Sequence, residues 1–529
     1  MLSALQKTQD VSLDSDEVMQ HIKDVPSYYH FGTGRSTILQ SLDLPSNSTV
    51  LELGAGCGAI TRYLGETFSR IDAIEASPIR SEIARERCRD LDNVTVLCKD
   101  LKTHSFACEY DFVVVIGVLE YSPIHIFPGE DPRAASLRFL ELARRALAPS
   151  GHLVLAIENR LGLDFWAGAP EPHTGRPYDG IYQYPIAGSQ ITFSKVELQQ
   201  LLADAGFTDT AFYYCFPNYH FARTILSSRG DEREHFLHNW VEFPSDSTPN
   251  PKTPSFNKLL AAQALGGARM LRDFANAFLV VAGTNGVPGP NWAAKVYNMK
   301  RRPAHRTVTT LGLHPQPFVR KAHLPCDGST VDGQPKPVSK DVRWRSGNLL
   351  TFEVARAALG RDFPNYIDEI MARYDRELRD QFGTGEVDSG GFPLLRPESL
   401  DALFSNIIEG ESGRWHFIDE EVLSEGLIPM DFVLYRCIRF CLYRHGVSDA
   451  QSRKIIRSLY PAYGRGRHKS NRTREDAFQR AMVSDPVDPR YLRRSLLMRL
   501  ALHDSFRPYV ERVWFRIPPD IRSFIRSHL

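Results

Sequence analysis

From residue 49 onward the apolar positions follow two alternating rhythms. Short, mainly apolar runs stand at 49–53 (TVLEL), 71–76 (IDAIEA), 94–98 (VTVLC), 112–118 (FVVVIGV) and 152–157 (HLVLAI). Their length and branched content predict buried strands. Stretches with helical spacing lie between them. In 59–68, Ile60, Leu64 and Phe68 share a face; in 77–88, Ser77 offers an N-cap and Pro78 a first-turn proline; 136–147 is a third. Repeated strand–helix units with apolar strands predict an α/β fold, a parallel sheet covered on both faces. A helix at 195–206 and a strand at 207–216 follow, the strand expected to return antiparallel at the sheet edge.

The rhythm weakens between 225 and 260, where SSRGDERE (227–234) and PSDSTPNPKTPS (244–255) read as linkers. Strand patterns resume at 274–283, 292–299, 306–313 and 318–324, and helical ones at 349–359 and 366–382, an α+β order. The expected division is an N-terminal cap (1–48), an α/β domain (49–225), a linker (226–265), an α+β domain (266–450) and a helical tail (451–529). A chain of 529 residues suits two to four units at roughly 150 residues each.

Charge sharpens this picture. The net charge is +1, yet residues 451–529 hold 18 Lys and Arg against 7 Asp and Glu. A basic tail on an acidic body suggests an anionic surface, such as the inner membrane, and no nucleic acid is expected. In 493–529, Ile521, Phe524 and Ile525 share a helical face beside Arg522 and Arg526, compatible with an interfacial helix or with docking on the chain itself. None of the eight cysteines forms a CxxC pair, which argues for a reducing compartment. The N-terminus has no signal-peptide pattern and no run reaches 18 apolar residues, so a cytoplasmic location is expected.

The candidate chemistry begins at LELGAGCGAITRYL. Gly54, Gly56 and Gly58 stand between a strand and a helix, where glycine lets the backbone turn sharply and a ligand approach its N–H groups. Glu75 ends the second strand, where a carboxylate can accept both hydroxyls of a ribose. Asp100 ends the third, placed to accept an adenine amino group. Gly54-x-Gly56-x-x-Ala59 also fits a dinucleotide fingerprint. The segment 28–42 ahead of the loop, and the acid after the third strand, favour a different adenosine cofactor.

LELGAGCGAITRYL, AIEASP, CKDL and YDFVVVIGVLEY resemble the successive motifs of class I S-adenosylmethionine (SAM)-dependent methyltransferases, over roughly residues 28–216. The resemblance implies a Rossmann-like sheet in which Gly54, Gly56, Gly58, Glu75 and Asp100 contact SAM. The long loop ENRLGLDFWAGAPEPHTGRPYDGIYQYP (158–185) then lies on the acceptor side. Glu158, Arg160 and His173 are the catalytic candidates, His173 as a general base; Trp166, Tyr178 and Tyr182 offer flat faces to a sugar or aromatic acceptor. The loop is similar to those of methyltransferases of bacterial surface-polysaccharide and O-antigen synthesis. That similarity implies a glycan or glycolipid acceptor and glycosyltransferase partners.

A second constellation lies in 395–422. Asp401 and Asn406 are five positions apart and Asp419 follows on an apolar strand. Phosphotransferases of the protein-kinase type use such a spacing for a catalytic base and metal ligands. Lys321 in FVRKAHL would then hold ATP phosphates with Glu353 as partner, and Asn406 and Asp419 would bind Mg2+. The arrangement resembles the kinase half of bifunctional kinase–methyltransferases that cap O-antigen chains. It departs from that pattern in lacking a glycine-rich loop before Lys321, a histidine before Asp401 and a Phe-Gly after Asp419. A non-catalytic assembly factor for glycan synthesis is the alternative of a different class.

Overall fold

A computed structural model of the chain describes residues 1–102, 110–185, 190–244, 254–324, 341–410, 412–419 and 426–482. The apolar runs form five strands as the pattern predicts: β1 (Thr49–Leu53), β2 (Arg70–Glu75), β3 (Val94–Cys98), β4 (Tyr110–Ile116) and β5 (Leu147–Glu158). They pair in parallel in the order β3-β2-β1-β4-β5. Val113 and Val115 enter one core with Phe139 and Leu140 of helix Pro132–Arg145 and Leu198 and Leu201 of helix Lys195–Asp204. Val114 and Ile116 enter the opposite core with Ile60 and Leu64 of helix Ala59–Thr67. Burial on both faces is why these strands show no polar alternation.

The far side of the sheet differs from the expectation. β6 (Asp209–Phe216) is followed by a short β7 (Thr224–Leu226), and β8 (Ala277–Gly283) then inserts between β5 and β6. β8 is antiparallel to both neighbours, so β6 runs parallel to β5 and is not the antiparallel edge strand. Phe278 and Val280 fill one core and Leu279 and Val281 the other. The α/β domain therefore does not end at 225. Residues 226–265 are an insertion rather than a linker, and among those described they include helix Lys258–Gly267. Lys258 of that helix forms a buried ion pair with Asp164 of the 158–185 loop, Nζ to Oδ1 at 2.6 Å.

The sheet continues past β7 through β9 (Trp292–Tyr297), β10 (Thr307–Gly312), β11 (Phe318–His323) and β12 (Asp341–Arg343), each antiparallel to its neighbour. The strands expected to open a separate α+β domain thus extend the first sheet, which has twelve strands among the described residues. A second core begins near residue 350. Helix Phe363–Phe382 buries Ile367, Ile370, Met371, Tyr374 and Leu378, three or four positions apart, and packs with Phe404, Trp415, Val433 and Leu434. Two three-stranded sheets complete this α+β unit.

Helices Asp449–Leu459 and Arg465–Met482 belong to the same unit, since Ile455, Ile456, Tyr460 and Tyr463 lie in its core. The boundary expected at 451 is therefore absent. Its arginines are spent on pairs: Arg467 bridges Asp431 and Asp388, at 2.8 and 2.6 Å. The interfacial segment 493–529 lies outside the described residues, and within them no helix is long and apolar enough to cross a membrane. At the N-terminus, Leu5, Val11, Val18, Ile22 and Phe31 pack on Cys57 of the glycine loop and on Ile83.

Candidate functional site

The glycine loop is built by crowding on two sides and left open on the third. Gly54 and Gly58 hold φ of +83° and +84°. A Cβ at Gly54 would lie 2.5 Å from Val118 Cγ2, and one at Gly58 2.9 Å from Ala84 Cα. Gly56 also has positive φ, +55°, but its Cβ position meets nothing nearer than His30 Cε1 at 4.0 Å. Space beside a backbone that only glycine adopts easily suits ligand approach. Glu75 sets the loop: its Oε2 accepts from Gly56 N at 2.9 Å and its Oε1 from Ser77 N at 2.8 Å. Asp100 stands just beyond β3, exposed at the carboxyl edge, and accepts from Lys102 N at 2.9 Å.

The cap contributes a residue that the motif reading missed. Arg35 is only 4% exposed, lies 4.0 Å over the Tyr29 ring, and has Nε and Nη1 without hydrogen-bond partners. Unsatisfied buried guanidinium donors invite an anion. Nearby His30 is held down to about 4 by burial and by Arg35 and Arg80, so it adds no positive charge at neutral pH. The signal in the sequence was one arginine within the 28–42 segment, with no motif around it.

The acceptor side converges on three buried groups. Glu120 follows β4, Glu158 ends β5, and His173 descends from the loop; one ligand atom of each lies within 4.8 Å of the others. His173 Nε2 stands 4.0 Å from Glu158 Oε2, an ion-pair contact too long for a hydrogen bond. Burial works to lower the His173 pKa, but Glu158, Glu120 and Glu171 outweigh it and push it up to about 9. Burial and the charge of Glu158 raise Glu120 to about 8. Burial also works to raise Glu158, yet His173 and His220 hold it below its ordinary range. The three acids thus favour the protonated form of His173, and a general base needs the neutral ring with its free lone pair. Glu120 was not among the sequence candidates; its only signal was an acid just past the strand 112–118.

Arg160 is occupied elsewhere. Its Nε and Nη2 donate to Glu197 at 2.7 and 2.8 Å, and Nη1 donates to Gly180 O at 3.2 Å. Because Glu197 caps helix Lys195–Asp204, Arg160 ties the loop to that helix and is not a catalytic group. The loop is anchored again where Asn159 Nδ2 donates to the carbonyls of Asp273 and Ala275. Trp166 and Tyr182 stay 42% and 64% exposed on it.

The other candidate residues come from both the first sheet and the second unit. Lys321 pairs with Asp419, and Asn406 Nδ2 donates to the Asp401 carbonyl at 2.9 Å. Burial and Asp419 push Asp401 up to about 6, against Arg436, Arg301 and Lys321. Asp419 has φ of +66°, a strained value for a non-glycine residue and one concentrated at functional sites. The Lys321–Glu353 pairing is a correction: Lys321 meets Asp419, while Glu353 Oε1 accepts from Tyr366 at 3.1 Å and feels Glu409.

Comparisons with known proteins agree with this geometry at its first half. Residues 51–153 match the family model described as a methyltransferase domain. The chain is similar to (S)-coclaurine N-methyltransferase of Thalictrum flavum subsp. glaucum, 38% identical over 14% of this chain and 21% of that protein. It is also similar to a probable ribosomal RNA small subunit methyltransferase A of Methanothermobacter thermautotrophicus, 32% identical over 22% of this chain and 43% of that one. The chain thus spans less than half the length of these curated relatives. Among solved structures, N-methyltransferase NodS from Bradyrhizobium japonicum WM9 is 15% identical over 47% of this chain and 93% of its own, with a TM-score of 0.27. The stretch that matches a methyltransferase domain, residues 51–153, thus lies on the parallel, Rossmann-like half of the sheet.

Proposed function

We propose that this chain transfers a methyl group from SAM to a cell-surface glycan, its phosphate or its lipid-linked precursor. The observation that carries the cofactor half is the corner made by open-sided Gly56, Glu75 and the orphaned donors of Arg35. Those residues fit SAM: Arg35 would hold the amino-acid carboxylate, Glu75 the ribose, and Asp100 the adenine edge. Bound there, SAM supplies an electrophilic methyl on a sulfonium. The protein's task is then to position the acceptor and exclude water, which the buried Glu120, Glu158 and Tyr219 do. The glycan half is supported by the anchored loop, whose exposed Trp166 and Tyr182 suit a sugar face. Isothermal titration should show one SAM per chain, and Gly56→Val should abolish it without altering the unfolding of the second unit. NAD binding in its place would refute the reading. Incubating the chain with labelled SAM and a glycan pool, followed by mass spectrometry, would identify the acceptor.

A second reading adds a phosphotransferase, making the chain a bifunctional kinase–methyltransferase. The contact of Lys321 with Asp419 beside Asp401 and Asn406 favours it. Mg2+ and ATP would supply the phosphoryl group; Asn406 and Asp419 would hold the metal, Lys321 the phosphates, and Asp401 the acceptor hydroxyl. Asp419→Ala should then abolish ATP turnover and leave SAM affinity within about twofold. Full-length protein without either turnover would leave the assembly-factor reading, in which the second unit recruits glycosyltransferases.

A further inference from the structure

Three side chains from three separate elements converge on the acceptor side, with one ligand atom of each lacking a hydrogen-bond partner. Glu120 and Glu158 are 1% and 2% exposed. Glu120 Oε2, Glu158 Oε2 and His173 Nε2 are each buried without a hydrogen-bond partner. Orphaned buried acceptors of this kind require explanation, since each forfeits its solvation.

The surroundings hold the three groups in place. Glu120 Oε1 faces Tyr219 Oη at 3.5 Å, and Tyr219 is itself fixed where its hydroxyl fills the space a Cβ on Gly117 would take. The His173 backbone N–H donates to Glu171 Oε2 at 2.7 Å, and Tyr121 packs edge-on to the imidazole at 5.2 Å between centroids. Supporting contacts that orient ligand side chains are characteristic of metal sites.

We propose that Glu120, Glu158 and His173 bind a divalent cation that holds an acceptor through its oxygens. All three ligand atoms lie within 4.8 Å of one another. Ligands at about 2.0–2.2 Å from one tetrahedral ion stand about 3.3–3.6 Å apart, so side-chain shifts of up to about one ångström close the site. Two carboxylates and one imidazole suit Mn2+ or Zn2+. Three protein ligands leave positions open for substrate, as in catalytic rather than structural sites. An acceptor presenting paired oxygens, a vicinal diol or a phosphate, would fill them. The acceptor role rests on the methyltransferase reading, whereas the cation site itself does not.

The full chain, freed of metal with a chelator, is titrated without SAM with Mn2+, followed by loss of the free-ion EPR signal, and with Zn2+ by calorimetry. One equivalent of at least one ion should bind. Glu120→Gln and His173→Asn should each weaken it by at least about tenfold, while a change at an exposed acid outside both clusters, Glu386→Gln, should not. His173→Asn changes a loop residue rather than a strand, so it carries the test if Glu120→Gln does not fold. Unchanged affinity in both variants, an equal loss of binding in Glu386→Gln, or no binding of either ion below about 1 mM would overturn the site. A parallel SAM titration separates the readings: failure to bind SAM with the cation retained sinks the methyltransferase proposal alone.

Discussion

Glu52 shows how a single residue of the glycine motif sets a pH dependence. It sits on β1 at 3% exposure, with Thr61 Oγ1 donating to its Oε2 at 2.6 Å. Burial raises its pKa to about 7, with Glu75 adding to the rise and Thr61 and Arg35 opposing it. The folded state thus holds a proton that the unfolded chain, near 4.5, releases. Stability from this group is fully present below about 4.5 and is lost as pH rises through about 7. The loss is on the order of 3 kcal/mol. Glu52→Gln should therefore raise Tm at pH 8 by several degrees and leave it unchanged at pH 4.5, by differential scanning calorimetry. Equal effects at both pH values would assign the shift to packing instead. The same logic explains why His173 could not be read from sequence. A histidine's role depends on which acids the fold brings beside it, and Glu120, Glu158 and Glu171 come from three places in the chain.

At the scale of elements, local pattern was sufficient wherever a strand pairs with a near neighbour in sequence. β1 to β5, their helices and the Ser77 cap follow the periodicity, and Glu75 and the three glycines fall where the strand ends place them. It failed where pairing is remote: β8 joins β5 across more than a hundred positions, with Leu153 opposite Ala282. An apolar run at 277–283 states that it is buried, not which strand covers it. The helix Lys258–Gly267 was hidden for a related reason, lying beside a proline-rich stretch and docked by one ion pair. Asp164 is 1% exposed and also accepts from Asn276 Nδ2 at 3.0 Å. Asp164→Ala removes the ion partner of a buried ammonium and should cost about 3 kcal/mol. Asp164→Ala with Lys258→Met should cost less than the single change. A double-mutant cycle by urea denaturation measures this; additive costs would show that the pair is not coupled.

At the scale of the whole molecule, the consequence of β8 is that the methyltransferase domain cannot be cut at residue 225. Removing β8 strips β5 and β6 of the strand between them, six pairs from Leu153 to Glu158 and seven from Asp209 to Cys215. It also empties both cores of Phe278, Leu279, Val280 and Val281, each at most 4% exposed. Four buried side chains lost at roughly 2 kcal/mol or more each exceed the whole stability of an ordinary domain once the broken ladder is included. A 1–225 fragment should therefore show no cooperative thermal transition and should aggregate through the exposed β5 and β6 edges. A 1–324 fragment keeps β8 to β11. Its polar links to the second unit include His238 Nε2 to Asn348 Oδ1 at 2.7 Å and Asn239 Nδ2 to Gly347 O at 2.8 Å. Lys321 of β11 also pairs with Asp419 of that unit. The longer fragment should unfold cooperatively and bind SAM within about threefold of the full chain. Calorimetry on the two fragments decides the matter: a cooperative, SAM-binding 1–225 would mean that β8 is an ornament of the sheet rather than part of it. Methyl transfer by 1–324 at the full chain's rate would place the second unit outside the methylation step and leave its Lys321–Asp401–Asp419 cluster to be explained by its own chemistry.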